Sequence, residues 1–153
     1  MFGALFRVLM AQPPLGAWRD GELVGVTGIA PPGTCRPGPA QRLRMLPTVM
    51  SLGPRTAGRV GRWLAAWSER DPDEPHSHLG PLAVDAHLQG QGIGSRILAE
   101  YTARLDAARE MGYLETDKAE NVRLYERHGF VTVEEADVIG VPNWFMRRES
   151  PAR

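Results

Sequence analysis

Apolar residues at Ile93, Ile97, Tyr101 and Leu105 recur every four positions, which puts them on one face of a long helix. The pattern continues to Ala108 and Met111, and Gly112 is expected to stop the helix. Ahead of it, Leu79-Gly80-Pro81-Leu82-Ala83-Val84-Asp85 is an apolar run of strand length, so His76 to Asp85 is predicted as the central strand. Pro81 cannot donate to a ladder and predicts a bulge or an unpaired position there. Further upstream, Asp20-Gly21 stands between apolar residues and supplies the positive φ angles of a tight hairpin turn, with a second strand from about Leu23 to Ile29. Pro31-Pro32-Gly33 ends that strand.

Residues 41 to 70 read as a helical insertion broken near Leu52-Gly53-Pro54. Leu43, Leu46, Val49 and Met50 mark a short apolar face before the break, and Val60, Leu64 and Trp67 a second after it. Trp63 and Trp67, four residues apart, read as core. Tyr113 to Thr116 is predicted as the next strand, Ala119 to His128 as a short helix capped by Gly129, and Phe130–Glu135 with Val138–Arg147 as a closing antiparallel pair. At the amino terminus, Phe2, Leu5, Phe6 and Leu9 fall on one face of a short amphipathic helix.

Composition narrows the function more by exclusion. The 153 residues suit one domain, and 18 basic residues balance 18 acidic ones, so no overall field recruits nucleic acid or an anionic membrane. No stretch approaches the roughly 18 apolar residues of a membrane span, and the first ten residues lack the layout of a secretory signal. Together these favour a cytoplasmic protein. The single cysteine, Cys35, rules out an internal disulfide and a cysteine-rich zinc site; it reads as a bystander, and no metal is expected.

The candidate chemistry lies between the central strand and the long helix. Gln89-Gly90-Gln91-Gly92-Ile93-Gly94-Ser95 is a glycine loop that opens a helix. Such a loop gathers unpaired backbone N–H groups at the positive end of the helix dipole, where a phosphate binds. Its spacing does not fit a dinucleotide fingerprint, and it has no Lys-Ser/Thr pair of the Walker type. The loop resembles instead the Q/R-x-x-G-x-G/A loop of the GNAT acetyltransferase superfamily. A second block, Ala119-Glu120-Asn121-Val122-Arg123-Leu124-Tyr125-Glu126-Arg127-His128-Gly129-Phe130, resembles that superfamily's N-x-x-x-Y-E-x-x-G-F segment. The resemblance covers roughly residues 76 to 147.

It implies an α/β fold, or more closely an α+β mixed sheet. This would be a twisted, mostly antiparallel sheet flanked by helices, with one pair of parallel strands splayed apart. The pair would end near Val84 and Thr116. It implies acetyl-CoA as cosubstrate, with its pyrophosphate on Gln89, Gly90, Gln91, Gly92, Ile93, Gly94 and Ser95, and its pantetheine arm paired with Leu82, Ala83 and Val84. The reaction implied is acetyl transfer to an unknown amine by direct attack, with Val84 N–H facing the oxyanion and Tyr125 as acid for the leaving thiolate. Glu115, Asp117, His76 and His78 are candidates for the base; the two histidines alternate onto one face of their strand.

Two departures from the superfamily pattern stand out. Where members carry an asparagine two turns before the tyrosine, this chain has Lys118, while Asn121 lies one turn before it and could still reach cofactor or strand. Only about ten residues precede the hairpin, so the usual amino-terminal strand and helices are expected to be missing. The exposed edge so left would favour self-association, as in a homodimer. Two other readings compete: a non-catalytic acyl-CoA-binding regulatory module, and a protein that uses the loop for another phosphate ligand.

Overall fold

A computed structural model of the chain describes residues 13–36 and 38–151, apart from the side chain of Arg42. The stripe at Phe2, Leu5, Phe6 and Leu9 lies outside the described residues. The hairpin is formed by β1 (Leu15–Arg19) and β2 (Glu22–Ala30), and Asp20 and Gly21 at its tip both have positive φ. Two helices follow, α1 (Pro39–Met50) and α2 (Pro54–Ser68), then β3 (His76–Val84) and a 3₁₀ turn (Ala86–Leu88). The long helix α3 (Ile93–Ala108), β4 (Met111–Thr116), α4 (Ala119–Glu126), β5 (Val131–Val138) and β6 (Val141–Arg148) complete the order.

The six strands of the described residues form one sheet in the order β1-β2-β3-β4-β6-β5. Every neighbouring pair is antiparallel except β3 and β4. That parallel ladder is short. It pairs His76 with Met111, Ser77 with Gly112 and His78 with Tyr113, and goes no further. Beyond it β3 stays with β2 as far as Val84, and β4 stays with β6 as far as Thr116, so the two strands part and leave a wedge between them. The bulge expected at Pro81 is present: Thr27 faces Leu82 and Ile29 faces Leu79, which leaves Gly80 and Pro81 opposite Gly28 alone.

Helix α3 covers one face of the sheet. Ile93, Ile97, Tyr101 and Leu105 are all buried, together with Leu98, and most of them join Ile29, Leu79, Leu114, Phe130 and Met146 in the cores of that face. Each such side chain contributes about 1.5–3 kcal/mol on leaving water. The helix does not run to Gly112. It ends at Ala108, with Arg109 in the left-handed region, and Gly112 lies inside β4. The glycine serves packing: a β-carbon there would meet Leu105 Cδ1 at 2.6 Å and the Phe130 ring at 3.1 Å.

Helix α2 covers part of the other face, where Trp63, Ala66 and Trp67 pack against Tyr113, Val138 and Phe145. The tryptophans, expected as core, are partly buried and pack against this cluster, and Trp67 Nε1 donates to Asn143 Oδ1 at 3.3 Å. The face expected from Val60, Leu64 and Trp67 is rotated toward Trp63, leaving Leu64 37% exposed. In α1 the expected apolar face points outward: Leu43, Leu46 and Met50 are 70%, 50% and 69% exposed, while Met45 is buried. An apolar stripe shows which side of a helix is suited to burial; it does not show that a neighbour covers it.

Candidate active site

The mouth of the wedge is closed at one end by the glycine loop. After β3 the 3₁₀ turn leads to Gln89, whose Nε2 donates back to Val84 O at 3.1 Å. Gly90 and Gly92 then turn the chain with φ of 77° and 81°, values open to glycine without strain. Gly92 caps α3 without any side-chain hydrogen bond, and Arg96 N makes the first helical bond to Gly92 O at 3.0 Å. The amides of Ile93, Gly94 and Ser95 are thus left for an outside acceptor. Among the described residues no side chain crowds Gly90 or Gly92, so the loop backbone is open to close approach. Ile93 can offer only its backbone, because its side chain is buried with Val24 and Ile97. Ser95 Oγ is 2.8 Å from His128 Nε2, which fixes the first turn of α3 to the end of α4. Burial, aided by Arg127 and Arg148, lowers the His128 pKa.

Along the wedge, no strand among the described residues pairs with β3 on the β4 side from Leu79 onward. Asp85 N donates to Val24 O on β2 at 3.1 Å, and strand alternation then turns the N–H and C=O of Val84 and Leu82 toward the wedge. The same alternation turns the Ala83 backbone to β2, where it pairs with Val26. Ala83, expected with its neighbours to pair with pantetheine, is therefore already engaged within the sheet.

Tyr125 and Glu115 approach the wedge from opposite faces. Tyr125 is buried on the α3 face, with its ring edge-on to Phe130 at 6.3 Å, and its hydroxyl has no hydrogen-bond partner among the described residues. Burial, with the nearby Glu115 and Asp117 carboxylates, pushes its pKa up to about 12. Glu115 is paired with Phe145 across β4 and β6 and so shares the α2 face. Its Oε2 is buried and 2.7 Å from His78 Nε2. Asn121 reaches the strand: its Nδ2 donates to Thr116 Oγ1 at 3.4 Å, and Lys118 N donates to the same oxygen at 3.3 Å. Asp117 is exposed beside them.

His76 and His78 do share a face, and the Tyr113 ring lies edge-on to both, with centroids 5.4 Å away. Neither is a free base. His76 Nδ1 is 2.8 Å from Glu74 O, and its Nε2 is 3.1 Å from Asp71 Oδ1. His78 lies between Asp71 and Glu115. Burial opposes the charge of His78, but the Glu115 carboxylate, Asp71 and Cys35 outweigh it and raise its pKa well above the ordinary value.

Cys35 is not the bystander that the sequence suggested. Its Sγ is 3.3 Å from His76 Nε2, a contact made across 41 residues of chain. Burial raises its pKa, while the hydrogen bond to His76 and the presence of His78 bring it down to about 7. Asp71 was missed altogether. The one signal was the His-x-His spacing of residues 76 and 78, which puts two imidazoles side by side on a strand; nothing local ties Cys35 or Asp71 to them. A depression lined by Ile29, Ser77, Tyr101 and Leu105 lies on the opposite face of the sheet at the same end of β3 and includes none of these groups.

The geometry agrees with what is found among known proteins. A family model described as the Acetyltransferase (GNAT) family matches residues 5–130. Among solved structures, the chain is similar to a histone acetyltransferase HPA2 and related acetyltransferase from Corynebacterium glutamicum, at 25% identity and a TM-score of 0.61, over 89% of this chain and 62% of that one. An acyl-CoA N-acyltransferase from Pseudomonas aeruginosa matches at 20% identity and a TM-score of 0.52, over 88% of this chain and 66% of that one. The ribosomal-protein-S18-alanine N-acetyltransferase from Escherichia coli shares the fold at 15% identity and a TM-score of 0.62, over 98% of this chain and 78% of that one. The chain thus spans 62% and 66% of the length of the first two.

Proposed function

Because this chain belongs to the GNAT acetyltransferase family, we propose that it moves an acetyl group from acetyl-CoA to a primary amine by direct attack in a ternary complex. The observation that carries this reading is the wedge between β3 and β4 with an uncapped glycine loop at its mouth. A slot between parted strands accepts an extended arm as an added strand, and the helix terminus beside it accepts the arm's pyrophosphate. The backbone of Gln89 to Ser95 holds the pyrophosphate. Leu82 and Val84, which turn their amides and carbonyls to the slot, pair with the pantetheine arm.

The acetyl thioester then lies between Glu115 and Tyr125. The neutral amine attacks the carbonyl carbon to form the C–N bond, and the tetrahedral oxyanion then collapses with cleavage of the C–S bond. Tyr125 donates its hydroxyl proton to the departing sulfur. The amine's surplus proton leaves toward Glu115, directly or through water, since both ring nitrogens of His78 face other groups. General acid–base help of this kind is worth about 10²–10⁴-fold. The test is a screen of small amines, amino acids, polyamines and peptide amines with thiol release as readout, run beside calorimetry with acetyl-CoA. Amine-dependent thiol release is expected. Tight acetyl-CoA binding with no turnover on any amine would instead favour a regulatory binding module, and preference for a nucleotide over acetyl-CoA would overturn the reading.

A further inference from the structure

We propose that Cys35, Asp71, His76 and His78 form a binding site for one divalent metal ion of the zinc class, adjoining the acyl-transfer site through His78 and Glu115. Cys35 Sγ, one oxygen of Asp71 and one ring nitrogen of each histidine all lie within 4.8 Å of one another. Three of these separations are shorter: 3.3 Å from Cys35 Sγ to His76 Nε2, 3.1 Å from His76 Nε2 to Asp71 Oδ1, and 3.5 Å from His78 Nδ1 to Asp71 Oδ1. A tetrahedral ion with bonds of about 2.0–2.3 Å sets its ligands about 3.3–3.7 Å apart. The four groups therefore stand near the corners of such a site, and the widest gap need close by only about an ångström.

The outer partners support the same assignment. A metal-bound histidine donates its second ring nitrogen to a carbonyl or carboxylate, which fixes the tautomer. His76 Nδ1 faces Glu74 O at 2.8 Å, so the lone pair of Nε2 is the one turned to Cys35 and Asp71. His78 Nε2 lies 2.7 Å from Glu115 Oε2 and Nδ1 lies 3.5 Å from Asp71 Oδ1, so a cation that displaces the Nδ1 proton would find that nitrogen on the Asp71 side. The second oxygen of Asp71 is held by Arg36 Nε at 3.1 Å, which leaves Oδ1 for the centre. Two imidazole nitrogens, a carboxylate oxygen and a thiol that converge on one point repel unless a cation or shared protons stand between them. A thiolate and a carboxylate with two neutral imidazoles carry two negative charges, which one divalent ion balances. The mixed S, N and O donor set suits zinc better than calcium or magnesium.

The expectation of no metal followed from the single cysteine, but a mixed site needs only one. All four positions are protein ligands, so the ion would be structural. It would fasten the loop after β2 and the segment after α2 to the start of β3, beside the point where the wedge opens. Through His78 it would also hold Glu115. This inference stands apart from the acyl-transfer reading and fails separately from it.

The experiment uses the full chain without a histidine tag, stripped with chelator and titrated with cobalt(II). One equivalent is expected to give tetrahedral visible bands and a near-ultraviolet thiolate-to-cobalt band. Because Cys35 is the only cysteine, that band identifies it without any variant. Zinc should displace the cobalt and raise the melting temperature, and Cys35→Ser and Asp71→Asn should each weaken binding at least tenfold. Wild-type protein that is folded by near-ultraviolet circular dichroism but shows no thiolate band would overturn the proposal. So would variants that bind cobalt as tightly as wild type, since the ion would then sit elsewhere.

Discussion

Glu115 Oε2 lies 2.7 Å from His78 Nε2, just past the last rung that joins β3 to β4. The contact spans the point where the strands part, so a carboxylate on one strand is held at the wedge by an imidazole on the other. If Glu115 takes the amine's proton, Glu115→Gln keeps the shape and removes the basicity. Turnover should fall by about 10²-fold with little change in acetyl-CoA affinity. Steady-state thiol release and calorimetry on the same preparation check this. Equal turnover would move the proton acceptor to Asp117 or to solvent.

Tyr125→Phe should lower kcat by about 10²-fold and leave acetyl-CoA binding intact, because the ring still packs on Phe130 and only the hydroxyl is lost. Burial and the Glu115 and Asp117 carboxylates hold the phenol up to about 12. The group therefore keeps its proton across the ordinary assay range and loses it only as pH rises through that high value. Any alkaline fall in kcat at lower pH should then persist in the Phe variant, and a pH–rate profile of both proteins decides. A fall that vanishes with the hydroxyl would mean that Tyr125 titrates lower than its surroundings imply.

Much of this architecture was legible because it is local. The four-residue recurrence from Ile93 to Leu105, the Asp20-Gly21 turn and the bulge at Pro81 each follow from backbone or side-chain rules that act within a few residues. What was not legible depends on distant partners. Gly112 looked like a helix stop because glycines often are; its actual role is set by Leu105 and Phe130, which meet it only in the folded chain. Alternation alone could have told which of Leu82, Ala83 and Val84 share an edge, but not which edge faces the wedge. The contact of Cys35 with His76 spans a hairpin exit and two helices, and no spacing rule reaches that far.

Gly112→Ala should destabilise the protein by about 1–3 kcal/mol, the usual cost of overpacking a filled core. The added methyl would stand 2.6 Å from Leu105 Cδ1 and 3.1 Å from Phe130, both of them buried, so neither can step aside freely. Chemical denaturation should show a lower midpoint at an unchanged slope. A midpoint equal to wild type would show that the α3–β4 contact is looser than the packing indicates.

Gly92→Val should weaken acetyl-CoA binding at least tenfold, or about 1.4 kcal/mol. Two effects act together at this position. Its φ of 81° lies where a β-branched side chain is strained, so the loop would shift. Among the described residues nothing stands within 4 Å of the missing β-carbon, so the new side chain meets no protein atom and is expected to obstruct whatever approaches the loop backbone. The first effect touches stability and the second touches affinity, and they separate by measurement. Gly33 also has positive φ, 77°, with open space around it, but stands in the loop after β2; Gly33→Val therefore serves as the control for strain alone. Calorimetry should show weakened acetyl-CoA binding for Gly92→Val and near wild-type binding for Gly33→Val, with far-ultraviolet circular dichroism unchanged in both. Equal affinity of Gly92→Val and wild type would place the pyrophosphate away from this loop.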